Sequence, residues 1–299
     1  GGEMRVEERR VNWEILDAWR DAAADSGIPK ITEFNRGDNS GNAYFQMNQR
    51  RGSRWSATKA FLDPARERPN LTILTESHVQ KLVFDHLSGE KRCTGIQVQT
   101  KQGIETFNAS REVLLSAGSI GSPQILQLSG VGNGELLRER GVIPEHELSG
   151  VGENLQDHLQ VRTIYKVHNT VTLNQRVNSL FGLAAMGIEY FLLKTGPLAM
   201  PPSQLGAFTK SDESQPTANI EWHVQPLSLD KFGDPLHKYN AITPSVCNLR
   251  PSSRGHVRIK SNRPEDHPAI TLNYLSTEED LRVAVSGLKY TRKIMASPA

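Results

Sequence analysis

The chain has 299 residues, enough for one large or two ordinary domains with a substantial buried core. Lys and Arg total 35 against 33 Asp and Glu, so the charge is nearly balanced, and no charge block indicates a nucleic-acid partner. Cys93 and Cys247 are the only two cysteines and show neither metal nor disulfide spacing. Nine histidines lack HxH or HExxH spacing. We therefore expect a reducing, cytoplasmic setting and no metal site.

The first elements are helical. Residues 13–26 place apolar side chains at helical spacing and end at Gly27, which predicts an amphipathic helix. Arg50, Arg51 and Arg54 form a basic cluster, for which a solvated loop is favoured over a phosphate clamp. Residues 56–62 predict a short helix that ends at Pro64.

The pattern from residue 71 onward changes to alternation with period two. It predicts strands near residues 71–75, 79–84, 95–99 and 105–107, with turns at Ser88–Gly89 and Gln102–Gly103. Such a series indicates a small antiparallel meander that leads into a further strand at residues 113–116. His78 stands at the end of the second of these strands, just before residue 79, and is interpreted as a surface histidine.

Residues 116–132 contain a strand end, a glycine turn, a helix and a second glycine turn within seventeen residues. Ser122 is predicted to be the N-cap, with Pro123 at the first helical position, where its missing N–H costs nothing. Gly130 and Gly132 let the chain turn sharply out of the helix. On spacing alone, an ordinary strand-to-helix turn explains this segment.

Residues 118–132 resemble the second signature of the glucose-methanol-choline (GMC) family of FAD-dependent alcohol oxidoreductases, and they fit it at every specified position. Choline dehydrogenase-like members are the subgroup that the chain resembles most. Further segments resemble the family in family order: residues 35–37, 51–57, 60–64, 68–72, 150–158 and 268–275.

The resemblance implies a mixed α+β or α/β architecture. Residues 1–157 would be a partial FAD-binding domain, an incomplete Rossmann-like region with an antiparallel meander, and residues 158–299 a substrate domain with an antiparallel sheet and helices. Val79 matches the position whose backbone contacts the FAD adenine, and its side chain would pack on that ring. Ala117 and Gly118 match the loop that passes close to the cofactor, where a larger side chain would collide.

Two family features are missing from the sequence. No GxGxxG turn for the FAD pyrophosphate is present; residues 130–134 and 150–155 come closest and fail at the last glycine. The catalytic His of the family would lie beyond Ala299. The chain is thus expected to be an internal fragment of a longer enzyme, and the fragment alone is expected to be inactive and to bind no flavin. The parent enzyme would transfer hydride to flavin N5 from an alcohol, either choline or another primary alcohol. The alternative is a non-catalytic substrate-binding or scaffolding module.

Residues 158–299 predict several strands and two long helices. Strands are expected at residues 161–167, 219–224, 245–249 and 255–259, and helices at 179–193 and after a capping-box pattern at 276–279. Alternation puts Glu221 and His223 on one side of a strand. Glu221 in a cavity would suit a cationic substrate such as choline, whereas solvent exposure is the favoured alternative. His158 is interpreted as structural, because its neighbour Asp157 would point to the opposite face.

The apolar stretch at residues 180–193 contains Glu189 and is shorter than the roughly 20 residues that span a membrane. A core-facing helix is favoured. The alternative is peripheral attachment of the parent protein to the inner face of a membrane, since some dehydrogenases of the family pass electrons to a membrane chain. The expected partner is a small alcohol; the sequence does not identify the electron acceptor.

Overall fold

The computed structural model describes residues 2–86 and 91–298, so the turn predicted at Ser88–Gly89 lies outside the described residues. A π-helical turn at Thr58–Leu62 precedes the second helix, and a 3-10 turn occupies Pro197–Ala199. The α-helices are α1 Glu14–Asp25, α2 Asp63–Ala65, α3 Gly118–Leu128, α4 Gly134–Glu139, α5 Leu173–Val177, α6 Leu180–Leu193 and α7 Glu278–Met295.

The strands form several small sheets and one larger sheet. They are β1 Gly41–Tyr44, β2 Gln49–Arg50, β3 Ser53–Arg54, β4 His78–Asp85, β5 Arg92–Thr100, β6 Gly103–Asn108, β7 Val131–Gly132, β8 His146–Glu147, β9 Gln160–Arg162, β10 Tyr165–Lys166, β11 Leu205–Thr209, β12 Ile220–Gln225, β13 Ala241–Asn248, β14 His256–Arg258 and β15 Ala269–Thr271. The predicted combination of helices with antiparallel sheets is confirmed.

The chain divides into two compact units, each made of separate stretches of sequence. We call them the sheet unit, residues 2–71, 158–250 and 278–298, and the meander unit, residues 72–86, 91–157 and 251–277. These two units are defined by which residues pack together. The functional division into residues 1–157 and 158–299 concerns cofactor and substrate binding, and it stays a prediction.

The sheet unit is built on a six-stranded antiparallel sheet in the order β1-β11-β12-β13-β10, with β9 also paired to β13. Alternation along β12 sends Ile220, Trp222 and Val224 to one face, and all three are fully buried in the main hydrophobic core. Trp222 also donates a hydrogen bond from Nε1 to Thr291 Oγ1 of α7, at 2.8 Å. This face of the sheet is therefore the core face, and the opposite face carries the polar side chains of the same strands.

Helices α1 and α7 cover the core face. The predicted amphipathic pattern of α1 is confirmed, because Leu16, Trp19 and Ala23 are buried and Gly27 follows the helix with φ +104°. The helix predicted after residues 276–279 is α7, with an acidic first turn and basic residues in its last turn, as the helix dipole favours.

The meander unit contains the predicted three-stranded antiparallel sheet, β4-β5-β6. Gly95 allows the close approach of two strands, since a Cβ there would lie 2.3 Å from Phe107 O. The pair β14 and β15 belongs to this unit, whereas the sequence led us to expect residues 255–259 in the substrate-domain sheet.

Two strands predicted from alternation are wrong. Residues 71–75 and 113–116 have no strand assignment, and Leu114 is 79% exposed. Alternating apolar residues define a strand only where a neighbouring strand accepts their backbone hydrogen bonds, and no described strand pairs with either segment.

Helix α3 begins earlier than predicted. Its first residue is Gly118, so Ser122 is not the N-cap and Pro123 lies inside the helix. Gly118 has φ +80°, which lets the chain turn directly into the helix at that point. The Ser122 hydroxyl instead accepts a hydrogen bond from the backbone N–H of Ala117, at 3.1 Å.

Helix α6 has the predicted position, but the expectation that it faces the core is wrong for most of it. Met186 is its buried residue, whereas Leu180, Phe181 and Phe191 are 88%, 85% and 77% exposed. Within the part of the chain that the structure describes, no helix combines the length and the apolar character needed to cross a membrane.

Candidate functional site

The segment predicted to contact the FAD adenine lies at a sheet edge in the meander unit. Val79 is the second residue of β4, is half-buried, and pairs with Val98 of β5. Because β4 is the outer strand of its three-stranded sheet, one of its lateral sides has no strand partner among the described residues. An edge strand offers backbone donors and acceptors to a ligand.

Ala117 and Gly118 lie at the start of α3 and are both exposed. A Cβ added to Gly118 would meet no atom within 4 Å, so its positive φ is the only constraint that the described residues place on this position. Helix α3 contacts β4, and Ser129 at its end accepts a hydrogen bond from Leu82 N at 2.8 Å. The predicted cofactor segments thus belong to one packed substructure.

Packing explains another glycine of the 118–132 signature. A Cβ at Gly130 would lie 2.5 Å from Ile143 O, so this glycine permits close backbone contact inside the unit. The sequence alone could not tell which signature glycines allow close backbone packing and which leave space for a ligand. Gly118, by contrast, has open space where its Cβ would lie, so its role in facing a cofactor stays a prediction.

Glu221 and His223 lie together on the polar face of the sheet unit. Glu221 is only 8% exposed, so the favoured alternative of solvent exposure is wrong. Its Oε1 lies 3.1 Å from His223 Nε2, and its Oε2 lies 3.9 Å from the Sγ of Cys247 on the next strand. The carboxylate therefore already has protein partners within its own unit.

His158 joins this group. One ligand-type atom each from His158, Glu221 and Cys247 lie within 4.8 Å of one another, an arrangement that could hold a metal ion. Nε2 of His158 lies 3.0 Å from Leu249 O, so this nitrogen is the proton donor. The cluster is assembled from distant parts of the chain, which local spacing cannot detect. The prediction of no metal rested on local spacing and stays a prediction.

Cys247 lies in a buried polar environment beside Glu221. Burial, together with the nearby Glu221 carboxylate, raises the pKa of the Cys247 thiol from its ordinary value of 9.0 to about 12. The thiolate is the reactive form, so Cys247 stays protonated and unreactive at neutral pH. The sequence led us to expect two buried free thiols; both cysteines are free, but only Cys247 is buried and Cys93 is half-buried.

Several buried polar atoms of the sheet unit have no hydrogen-bond partner among the described residues. Sequence reasoning missed these residues, which include Gln49, Gln204, Gln225 and Ser245. Alternation alone would have put Gln225 beside Glu221 and His223, because these positions share a face of β12. No local signal indicates that Gln49, on a two-residue strand, is buried.

A cavity of about 690 Å³ lies within the sheet unit beside His223. Its walls combine Phe45, Tyr190 and Met200 with the polar side chains of Gln49 and His223. The amide of Gln49 donates from Nε2 to Ala199 O, which leaves its Oε1 as a buried acceptor without a partner among the described residues. Apolar walls with a few polar groups are typical of small-molecule sites.

The chain matches models of a known protein family. Two models described as GMC oxidoreductase match it, the N-terminal model over residues 2–160 and the C-terminal model over residues 251–299. The oxygen-dependent choline dehydrogenase of Escherichia coli strain K12 is 37% identical over 290 residues, which cover 95% of this chain and 51% of that protein. The chain therefore spans about half the length of the curated relatives it matches.

Solved structures share the fold. Pyridoxine 4-oxidase from Mesorbium loti has a TM-score of 0.83 at 25% identity, with 100% of this chain and 54% of that chain covered. A fungal aryl-alcohol oxidase has a TM-score of 0.86 at 17% identity, with 100% and 57% covered. At 17% identity, the second likeness concerns the fold alone.

Replacing Gly118 by Ala tests the conformational role of this glycine. We expect Gly118→Ala to lower the free energy of unfolding by about 1 kcal/mol, because an L side chain resists positive φ. Gly150→Ala is the matched control in the same unit, since a Cβ there is also unobstructed and its φ lies outside the positive range. Urea denaturation followed by circular dichroism measures both; equal stability of the two variants would contradict the assignment.

Thiol labelling tests the environment of Cys247. At pH 8, well below its pKa of about 12, we expect the Cys93→Ser variant to react with a maleimide only after denaturation. Cys247→Ser, which keeps the half-buried Cys93, should react without denaturant. Glu221→Gln removes the nearby negative charge, so it should lower the Cys247 pKa and speed labelling at higher pH. Rapid labelling of folded Cys93→Ser at pH 8 would refute this account.

Proposed function

Because the chain belongs to the GMC oxidoreductase family, we propose that it is part of an FAD-dependent oxidoreductase that acts on the CH–OH group of an alcohol. The observation that carries the proposal is the start of α3, where the exposed, unobstructed Gly118 opens a helix inside the matched segment. The activity belongs to a longer protein, of which this chain supplies part.

The meander unit fits a bound FAD in two respects. The backbone N–H groups of the first turn of α3 have no partners within the helix, and such groups favour an anionic or electron-rich ligand atom. Edge strand β4 presents the peptide of Val79 for recognition of a heterocycle edge. FAD, when bound, would supply the acceptor for the hydride at its N5.

The sheet unit would contribute the residues that bind the substrate. Its polar face holds Glu221 and His223, and the cavity beside His223 has the apolar and polar walls that position a small alcohol. Removal of the hydroxyl proton is assigned to a His that lies outside these 299 residues. Residues of the present chain would then bind and orient the substrate.

A non-catalytic binding or scaffolding module is the second candidate. It is favoured by the absence of a GxGxxG turn from the 299 residues. The two candidates differ in what a longer product of the same gene would contain: the enzyme requires a GxGxxG segment before this chain and a catalytic His after it.

Cofactor retention tests the proposal. We expect the 299-residue chain, incubated with FAD and desalted, to show no flavin absorbance and no alcohol turnover, because it has no GxGxxG turn to hold the pyrophosphate. The longer gene product should be yellow and should bleach anaerobically when an alcohol is added. A longer product that binds no flavin would reject the enzyme, and a yellow 299-residue chain would reject the role given to the missing turn.

Peripheral membrane attachment of the parent protein stays a prediction, motivated by the exposed apolar side chains of α6. In vesicle flotation, Phe181→Ser and Phe191→Ser should reduce the fraction of bound chain. Ile143→Ser, at a residue that is 88% exposed in the other unit, is the matched control and should not change binding. Equal binding of all three variants would reject α6 as the attachment surface.

A further inference from the structure

The cavity beside His223 has few charged side chains in its walls. None of the described residues that line it is acidic, and Arg54 carries the one permanent charge among them. A quaternary ammonium ion moved from water into such a site loses hydration and meets no acidic side chain in the lining. The charge of the walls thus opposes a cationic ligand.

The carboxylates near the lining residues do not line the cavity themselves. Glu8 Oε1 accepts a hydrogen bond from Gln46 Nε2 at 3.0 Å, and Glu7 Oε2 accepts one from the Gly52 N–H at 3.5 Å, so both already have protein donors. Glu221 lies on the same sheet face as His223 but is not among the lining residues, and its two oxygens face His223 Nε2 and Cys247 Sγ. His223 therefore lines the cavity, and Glu221 contacts the His223 ring from outside it.

Aromatic rings attract cations through their faces, so Phe45 and Tyr190 of the lining could in principle bind a quaternary ammonium ion. The His223 ring stacks against Phe45, with 5.5 Å between centroids and 29° between planes. The Lys194 ammonium lies 4.5 Å from the centre of the Tyr190 ring. One face of each ring is already occupied, and Lys194 adds a second positive charge near the cavity.

The polar groups that remain suit a hydroxyl. Gln49 lines the cavity, and its Oε1 lies just beneath the wall with no partner among the described residues, so a small turn of the amide would let it accept a hydrogen bond from a ligand O–H. Ser203, another lining residue, accepts a hydrogen bond from Gln225 Nε2 at 3.0 Å, which leaves its own proton available for a ligand oxygen. The cavity thus offers one acceptor and one donor, both uncharged.

We propose that this cavity binds an uncharged primary alcohol, held by Gln49 and Ser203, and that it discriminates against quaternary ammonium alcohols. The proposal rests on the proposed function, because it names the substrate class of that same site. It assigns Gln49 as a specificity-determining residue, which acts by supplying a neutral acceptor where a carboxylate would favour a cation.

Choline and 3,3-dimethylbutan-1-ol make the sharpest test, because they have nearly the same shape. They differ in one atom: choline has a positively charged quaternary nitrogen where the neutral alcohol has a quaternary carbon. Ligand-observed NMR titration of the 299-residue chain measures both affinities without any cofactor. We expect the neutral alcohol to bind about tenfold tighter than choline, since the cation loses hydration and meets no acidic side chain in the lining. Preferential binding of choline, or binding of neither compound, would overturn the proposal.

Two substitutions separate charge from shape. Gln49→Met removes the acceptor at similar volume and should weaken binding of the neutral alcohol about fivefold. Gln49→Glu adds a carboxylate and should shift the preference toward choline by about tenfold. Gln175→Glu makes the same charge change at an exposed position of the same unit outside the cavity and should leave the preference unchanged. Circular dichroism checks that each variant is folded.

The outcomes also separate this proposal from the proposed function. Flavin bleaching by choline in preference to 3,3-dimethylbutan-1-ol, in the longer gene product, would overturn the substrate class and leave the oxidoreductase intact. A longer product without bound flavin would overturn the oxidoreductase and leave the binding preference of the 299-residue chain as measured.

Discussion

The burial of Trp222 and its strand neighbours against α1 and α7 is the interaction on which the sheet unit depends. A fully buried Trp side chain contributes about 3–5 kcal/mol to stability, a large part of the net stability of a domain. Because side chains alternate along a strand, fixing Trp222 toward the helices also fixes Glu221 and His223 toward the other face. The hydrophobic core thereby determines where the polar site lies.

Elements with a strong local signal were predictable from the sequence. The amphipathic helix near residue 13, the meander after Val79 and the last helix follow from periodicity, caps and turns, and the structure has all three. The strand expected at residues 113–116 fails because strand formation depends on a neighbour, and periodicity contains no information about neighbours. Helix α3 begins early because a glycine with positive φ overrides the preference of Pro123 for the first turn.

The candidate site was predictable only where one strand carries it. Glu221 and His223 are two residues apart, so alternation could place them together. His158, Cys247 and Gln49 reach the same unit from distant parts of the chain, and a single sequence gives no distance between such residues. The burial of Glu221 was missed because alternation assigns a side chain to a face of the strand but does not show what packs on that face.

The side chain of Gln127 joins two distant segments of the meander unit by hydrogen bonds. Fully buried, it donates from Nε2 to Val257 O and accepts from Ile259 N, each at 2.9 Å, across about 130 residues of sequence. On a ribosome the helix that carries Gly118 would emerge long before its partners at 257 and 259. A contact of such high sequence separation forms late in folding. The segment proposed to meet the cofactor would thus be completed only after most of the intervening sheet strands have been synthesised, which makes its maturation sensitive to events far downstream in the chain.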